Sequence, residues 1–175
     1  MSFGNSSISE ICYNYIREIL PAGKTILELG SGYGTSELAK HYKMISIEHD
    51  GRWVEQYDSD YIYAPIQWYD DKWTAPEIPG NEGWYNISVI ERELKDKRYD
   101  MILVDGPPGY PNYNQTGKRI GRAGFYKHLS LFDTTVPIIV DDIDRKCEKI
   151  LLEKLSEKLD KPYTILEDKA AGVIL

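Results

Sequence analysis

Five acidic residues and one run of glycines hold most of the chemistry this chain can offer. Asp105 closes the apolar run Met101-Ile102-Leu103-Val104, and Asp141 and Asp142 close a second run, Val136 to Val140. Near-continuous apolar runs suit parallel strands covered on both faces. If the two strands are neighbours, their terminal acids converge on one sheet edge. Three carboxylates gathered there repel one another unless something positive joins them. The residues leave two answers open. One is a hard divalent cation, held through oxygen by Asp105, Asp141 and Asp142. The other is a guanidinium from Arg119, Arg122 or Arg145.

The remaining two acids flank the glycines. In the stretch Thr25 to Asp50, the run Ile26-Leu27-Glu28-Leu29 stops at Gly30-Ser31-Gly32-Tyr33-Gly34-Thr35. A helix-like segment follows, and a second apolar run, Met44 to Ile47, closes on Glu48. That pattern predicts a strand, a tight turn, a helix and a parallel strand, with ligands expected at the carboxyl ends of the strands. Glycine lets the chain turn at positive φ and lets a ligand approach bare backbone, and free N–H groups opening the helix receive polar or anionic groups. A dinucleotide fingerprint needs G-x-G-x-x-G. Here Thr35 stands where its third glycine would be, leaving E-x-G-x-G-x-G. An acid inside an apolar strand costs several kcal/mol unless paired, so Glu28 asks for a cationic partner. Glu48, 20 residues later, lies near the separation at which an acid grips a ribose diol, and it is expected at a solvent-accessible strand end. A nucleoside with an amino-acid tail and no phosphate suits both.

ELGSGYGT followed by ISIEHD resembles the cofactor-binding half of class I S-adenosylmethionine-dependent methyltransferases. The resemblance implies that Glu28, Gly30, Ser31, Gly32, Gly34 and Thr35 hold the methionine part. It gives Glu48 the ribose hydroxyls and His49 a backbone contact to the nucleoside. The loop at Ala64, Pro65 and Ile66 falls where this class touches the adenine. VDGPPG and VDDIDR resemble the small metal-dependent O-methyltransferases, with Asp142 in place of an amide, which implies Mg2+ on the three aspartates. They also resemble a looser group of methyltransferases that includes sugar-modifying enzymes, which implies Asp105 as base and Arg122 in the acceptor site, with Asp142 beside them. The expected reaction is methylation of a hydroxyl on a small molecule or saccharide. Two rivals are a nicotinamide-dependent oxidoreductase, disfavoured by Thr35 and Glu28, and a non-catalytic accessory domain that binds the cofactor.

Stepwise through the chain, helical spacing predicts helices over 9–20, 35–42, 87–97, 120–131 and 146–159, and a short one over 53–57. Apolar runs predict strands at 26–29, 44–48, 61–64, 99–105 and 136–140, with a terminal hairpin from 163–166 and 173–175. Charged positions of 146–159 are expected to form a solvated face. The fold expected is α/β, a Rossmann-like, doubly wound, mostly parallel seven-stranded sheet with helices on both faces, occupying residues 1–175 as one domain. Residues 67–86, with Trp68, Tyr69, Trp73, Trp84 and Tyr85, read as an aromatic-rich loop that either closes on substrate or anchors itself to the body. A formal net charge of −7 argues against a nucleic-acid footprint, which needs a basic face. With no leader or membrane-spanning run in the sequence, a cytoplasmic protein with no membrane partner is expected. Cys12 and Cys147 are too far apart to read as a disulfide framework or a zinc pair. Self-association stays open.

Overall fold

The structure, a computed structural model, describes residues 8–69, 78, 82–109, 119–168 and 170–175. Helix α1, Glu10–Ile19, starts where the Ser9 hydroxyl accepts the Cys12 N–H at 3.0 Å, and it buries Cys12, Tyr13 and Ile16. A side-chain acceptor of this kind satisfies one of the free N–H groups of a first turn. Strand β1 is Thr25–Leu29, α2 is Tyr33–Leu38, β2 is Lys43–Glu48 and β3 is Asp60–Tyr63. Two short strands, β4 Ile66–Trp68 and β5 Gly83–Tyr85, then pair antiparallel as a separate ribbon. Helix α3, Ile87–Leu94, leads to β6, Met101–Val104. Helix α4, Ala123–Lys127, with a 3-10 turn at Leu129–Leu131, leads to β7, Ile138–Val140. Helix α5, Lys146–Leu159, β8, Tyr163–Ile165, and β9, Gly172–Ile174, complete the fold.

The main sheet has seven strands in the order β3-β2-β1-β6-β7-β9-β8. Strands β3, β2, β1, β6 and β7 run parallel, while β9 is antiparallel to both β7 and β8. The mostly parallel doubly wound sheet and its terminal hairpin are thus those expected from the alternation of strand and helix. One core cluster holds Leu27, Leu29, Ile102 and Val104 with residues of α3, α4 and α5; the opposite cluster holds Ile26, Met101 and Leu103 with residues of α1. Helices therefore cover both faces, which explains why the central strands read as unbroken apolar runs. No described helix is long and apolar enough to cross a membrane.

Three expected elements are corrected. The segment 53–57 forms turns, because Glu55 sits at φ 63° and a positive φ ends a right-handed helix. The helix expected over 120–131 is only α4 and a 3-10 turn, broken where His128 takes φ −104° and ψ 28°. Segment 67–86 contains an antiparallel ribbon whose Trp84 and Tyr85 are wholly buried. That favours the anchoring reading for these two rings. Trp73 and residues 70–77 and 79–81 lie outside the described residues.

Candidate functional site

Parallel strands end together, and their ladders run one residue past the strands. Gly30 N–H donates to Ile47 C=O at 2.9 Å, Asp105 N–H to Leu29 C=O at 3.0 Å and Asp141 N–H to Val104 C=O at 3.1 Å. Glu48, Gly30, Asp105 and Asp141 therefore stand side by side at one edge. Between β1 and β6 the strand order reverses, which is where open α/β sheets form a ligand crevice. Gly30 has φ 90°, and a Cβ there would lie 2.8 Å from Gly106 Cα. A Cβ at Gly106 would lie 2.7 Å from both Gly30 Cα and Tyr85 Oη. The turns after β1 and β6 can approach this closely only because both residues lack side chains.

Glu28 and Glu48 are both 2% exposed. Glu28 lies beneath the turn, with Oε2 accepting the Thr35 hydroxyl at 2.8 Å and the Ser46 hydroxyl at 2.9 Å. Thr35 Oγ1 in turn accepts the Gly32 N–H at 3.0 Å and lies 3.2 Å from Ser31 Oγ. Burial pushes the Glu28 carboxyl up to about 8, against the lowering effect of Thr35. Its partners are thus hydroxyls of the fold, and the expected cationic partner is not needed to keep it inside. Glu48 was expected at an open strand end and is instead enclosed by backbone. Its Oε2 accepts Ser31 N–H at 2.8 Å, and its Oε1 accepts His49 N–H at 2.6 Å and Asp50 N–H at 2.7 Å. His49 Nδ1 lies 2.8 Å from the same Oε1. Gly32 caps α2, and Gly34 is buried in its first turn.

Across the crevice, Arg122 from the start of α4 joins the three aspartates. It is 2% exposed. Nη1 donates to Asp141 C=O at 2.6 Å; Nη2 donates to Asp105 C=O, to Asp105 Oδ1 at 3.2 Å and to Asp142 Oδ2 at 2.5 Å. Arg145 Nη1 reaches Asp142 Oδ2 at 2.9 Å. The Asp142 backbone takes φ 59°, a left-handed turn that Asp tolerates better than most residues. Asp105, its side chain 24% exposed, is shifted upward, chiefly by burial and against Arg122, with a hydrogen bond to Asp141. Asp141 is pushed up to about 8, by burial and by Asp105. One carboxylate oxygen from each of Asp105, Asp141 and Asp142 lies within 4.8 Å of the other two. Of the two answers left open by the sequence, the guanidinium is present in the structure: Arg122 sits between Asp105 and Asp142 and Arg145 adds a second cation. A cation site on these residues would have to displace that pairing, so Mg2+ enters no step below.

Three contributors were not legible. Glu148, expected on the solvated face of α5, is buried with its carboxyl raised by burial and lowered by Arg122. Tyr85 places its hydroxyl against Gly106 and has no hydrogen-bond partner for it among the described residues. Tyr33, 55% exposed, meets Trp53 at 5.9 Å and Tyr57 at 6.5 Å between ring centroids, beside the glycine turn. An aromatic inside a glycine turn was the one sequence signal for this group.

No family model matches the chain, and no curated protein matches it. Among solved structures it is similar to the E. cuniculi Mtq2–Trm112 complex, responsible for methylation of the eRF1 translation termination factor. The identity is 19%, covering 95% of this chain and 92% of that one, with a TM-score of 0.46. That complex acts on a protein and is itself made of two proteins, in contrast to the small-molecule or saccharide acceptor expected from the sequence. A small-molecule or saccharide acceptor, with self-association as the sole assembly left open, is not carried forward.

Proposed function

We propose that this chain, as one catalytic unit, is an S-adenosylmethionine-dependent methyltransferase. The observation that supports the reading best is the contact between Gly30 and Gly106, which sets the glycine turn directly against the turn that carries Asp105. In-line transfer needs donor and acceptor held next to one another. Gly30 to Thr35 and Glu48 receive the sulfur nucleoside on one side of the crevice, and Asp105, Asp142 and Arg122 receive the acceptor on the other. Bound S-adenosylmethionine would supply an electrophilic methyl group. The residues suit it: the turn offers bare backbone, and Glu48 Oε2, with one N–H bonded, retains a lone pair for a ribose hydroxyl. Glu28 acts at one remove, holding Thr35 and through it the Gly32 N–H.

Asp105 is the base. Its raised pKa moves it toward the range in which a carboxylate accepts a proton efficiently at neutral pH, and the acceptor this suits is a hydroxyl. Arg122 fixes the Asp105 carboxylate and ties it to the end of β7. Calorimetric titration with S-adenosylmethionine, S-adenosylhomocysteine and NAD, taken separately, tests the reading. Binding of the two sulfur nucleosides without NAD is expected, and Asp105→Asn should keep that binding. Binding of NAD alone would overturn the function and leave only the fold.

A further inference from the structure

Arg122 is long, buried and stands at the N-cap of a five-residue helix, too short to fix a side chain's direction by itself. Something else must hold the segment on either side of it. On the upstream side, Glu82 N–H and Gly83 N–H donate to Arg119 C=O at 2.8 and 3.2 Å, and Arg119 N–H returns a bond to Glu82 Oε2 at 2.5 Å. Gly83 also forms a parallel bridge with Ile120. On the downstream side, Trp84 packs against Gly124, where any Cβ would overlap its side chain. Trp84 stacks on His128 at 5.7 Å and 15°. Side chains alternate along a strand, and the next residue, Tyr85, turns the other way and sets its hydroxyl against Gly106, beside Asp105.

We infer that the β4–β5 ribbon, inserted between β3 and α3, is part of the site: β5 grips the chain before and after Arg122, and Trp84 is the positioning residue that holds the guanidinium across Asp105 and Asp142. The inference takes the importance of Arg122 from the functional reading above, and its geometry from the ribbon alone. An aromatic side chain packed this closely against a glycine leaves α4 one position, because a close-packed core has no room for a second.

The test reads the guanidinium directly, by 15N NMR of Arg122 in the intact protein. With both Nη groups bonded, rotation about Cζ–Nε in the wild type should be slow and the Nη signals separate. Gly124→Ala, which drives α4 off the Trp84 ring, should speed that rotation by about tenfold or more, the response to losing roughly one hydrogen bond from the barrier. Trp84→Phe, smaller and still apolar, should do the same and carries the test if Gly124→Ala does not fold. Ile16→Ala, in the opposite core cluster, should leave rotation slow despite lowering the melting temperature. Unchanged rotation in the ribbon variants, or equal release by Ile16→Ala, would overturn the inference. S-adenosylmethionine titrated into the same samples separates the two conclusions. Failure of the wild type to bind sinks the functional reading, while the rotation result still decides the role of the ribbon.

Discussion

A Glu28 carboxyl pushed up to about 8 keeps its proton at neutral pH, whereas in the unfolded chain it ionises from about 4.5. Between those values the folded protein binds more protons, so this group makes stability fall as pH rises from about 4.5 to about 8, and level off above. Glu28→Gln retains an oxygen for Thr35 and Ser46 and removes the titration. In urea unfolding, the wild type should lose on the order of 4 kcal/mol between about pH 5 and about pH 8.5 that the variant does not lose. Parallel curves would assign the slope to other groups. Glu48 accepts three backbone N–H groups. Glu48→Ala should cost about 3 kcal/mol in the same measurement, through stranded donors, as well as weakening nucleoside binding. Full retention of stability would mean that those N–H groups find other partners. The sequence placed both acids at strand positions correctly, yet it expected exposure at Glu48 and a cationic partner at Glu28. Burial depends on what packs from elsewhere, which the local pattern does not contain.

At the level of elements, the glycine turn and α5 follow their sequence signals closely. The turn follows because φ 90° at Gly30 is a local demand, and α5 because 14 residues of helical spacing leave little competition. Gly30→Ala meets two penalties together, the left-handed backbone and a Cβ 2.8 Å from Gly106 Cα. It should destabilise the protein by roughly 2–4 kcal/mol and abolish binding of the sulfur nucleosides. A thermal melt beside a calorimetric titration checks this, and a variant that still binds would separate the turn from the ligand. The ribbon was not legible. Its strands are three residues each, too brief for period-two alternation to stand out, and their pairing joins residues across a segment rich in Pro and Gly.

For the whole molecule, closure of the sheet rests on β9, which is buried and sits antiparallel on β7 with Val140 opposite Gly172. Strand β7 carries Asp141 and Asp142 on its carboxyl end, so the last residues of the described chain support the acid–arginine cluster from outside the site. Ending the chain after Asp160 would strip the flank of β7 and uncover Leu152, which packs on Gly172. Such a protein should lose its cooperative thermal transition, as followed by circular dichroism. A sharp melt in its absence would show that the five parallel strands suffice.

The sequence by itself determined the alternation of strands and helices, the glycine turn, and the acids that close β1, β2, β6 and β7 or lie within them. These are local matters of periodicity, backbone freedom and the ends of apolar runs. Tertiary structure decided the rest. Arg122 reaches Asp105 and Asp142 from 17 and 20 residues away, Glu28 and Glu48 find hydroxyl and backbone partners, Glu148 turns inward, and a ribbon fixes α4. Each outcome turns on desolvation and on pairing between distant residues, whose free energies exist only once the strands have been brought to one edge.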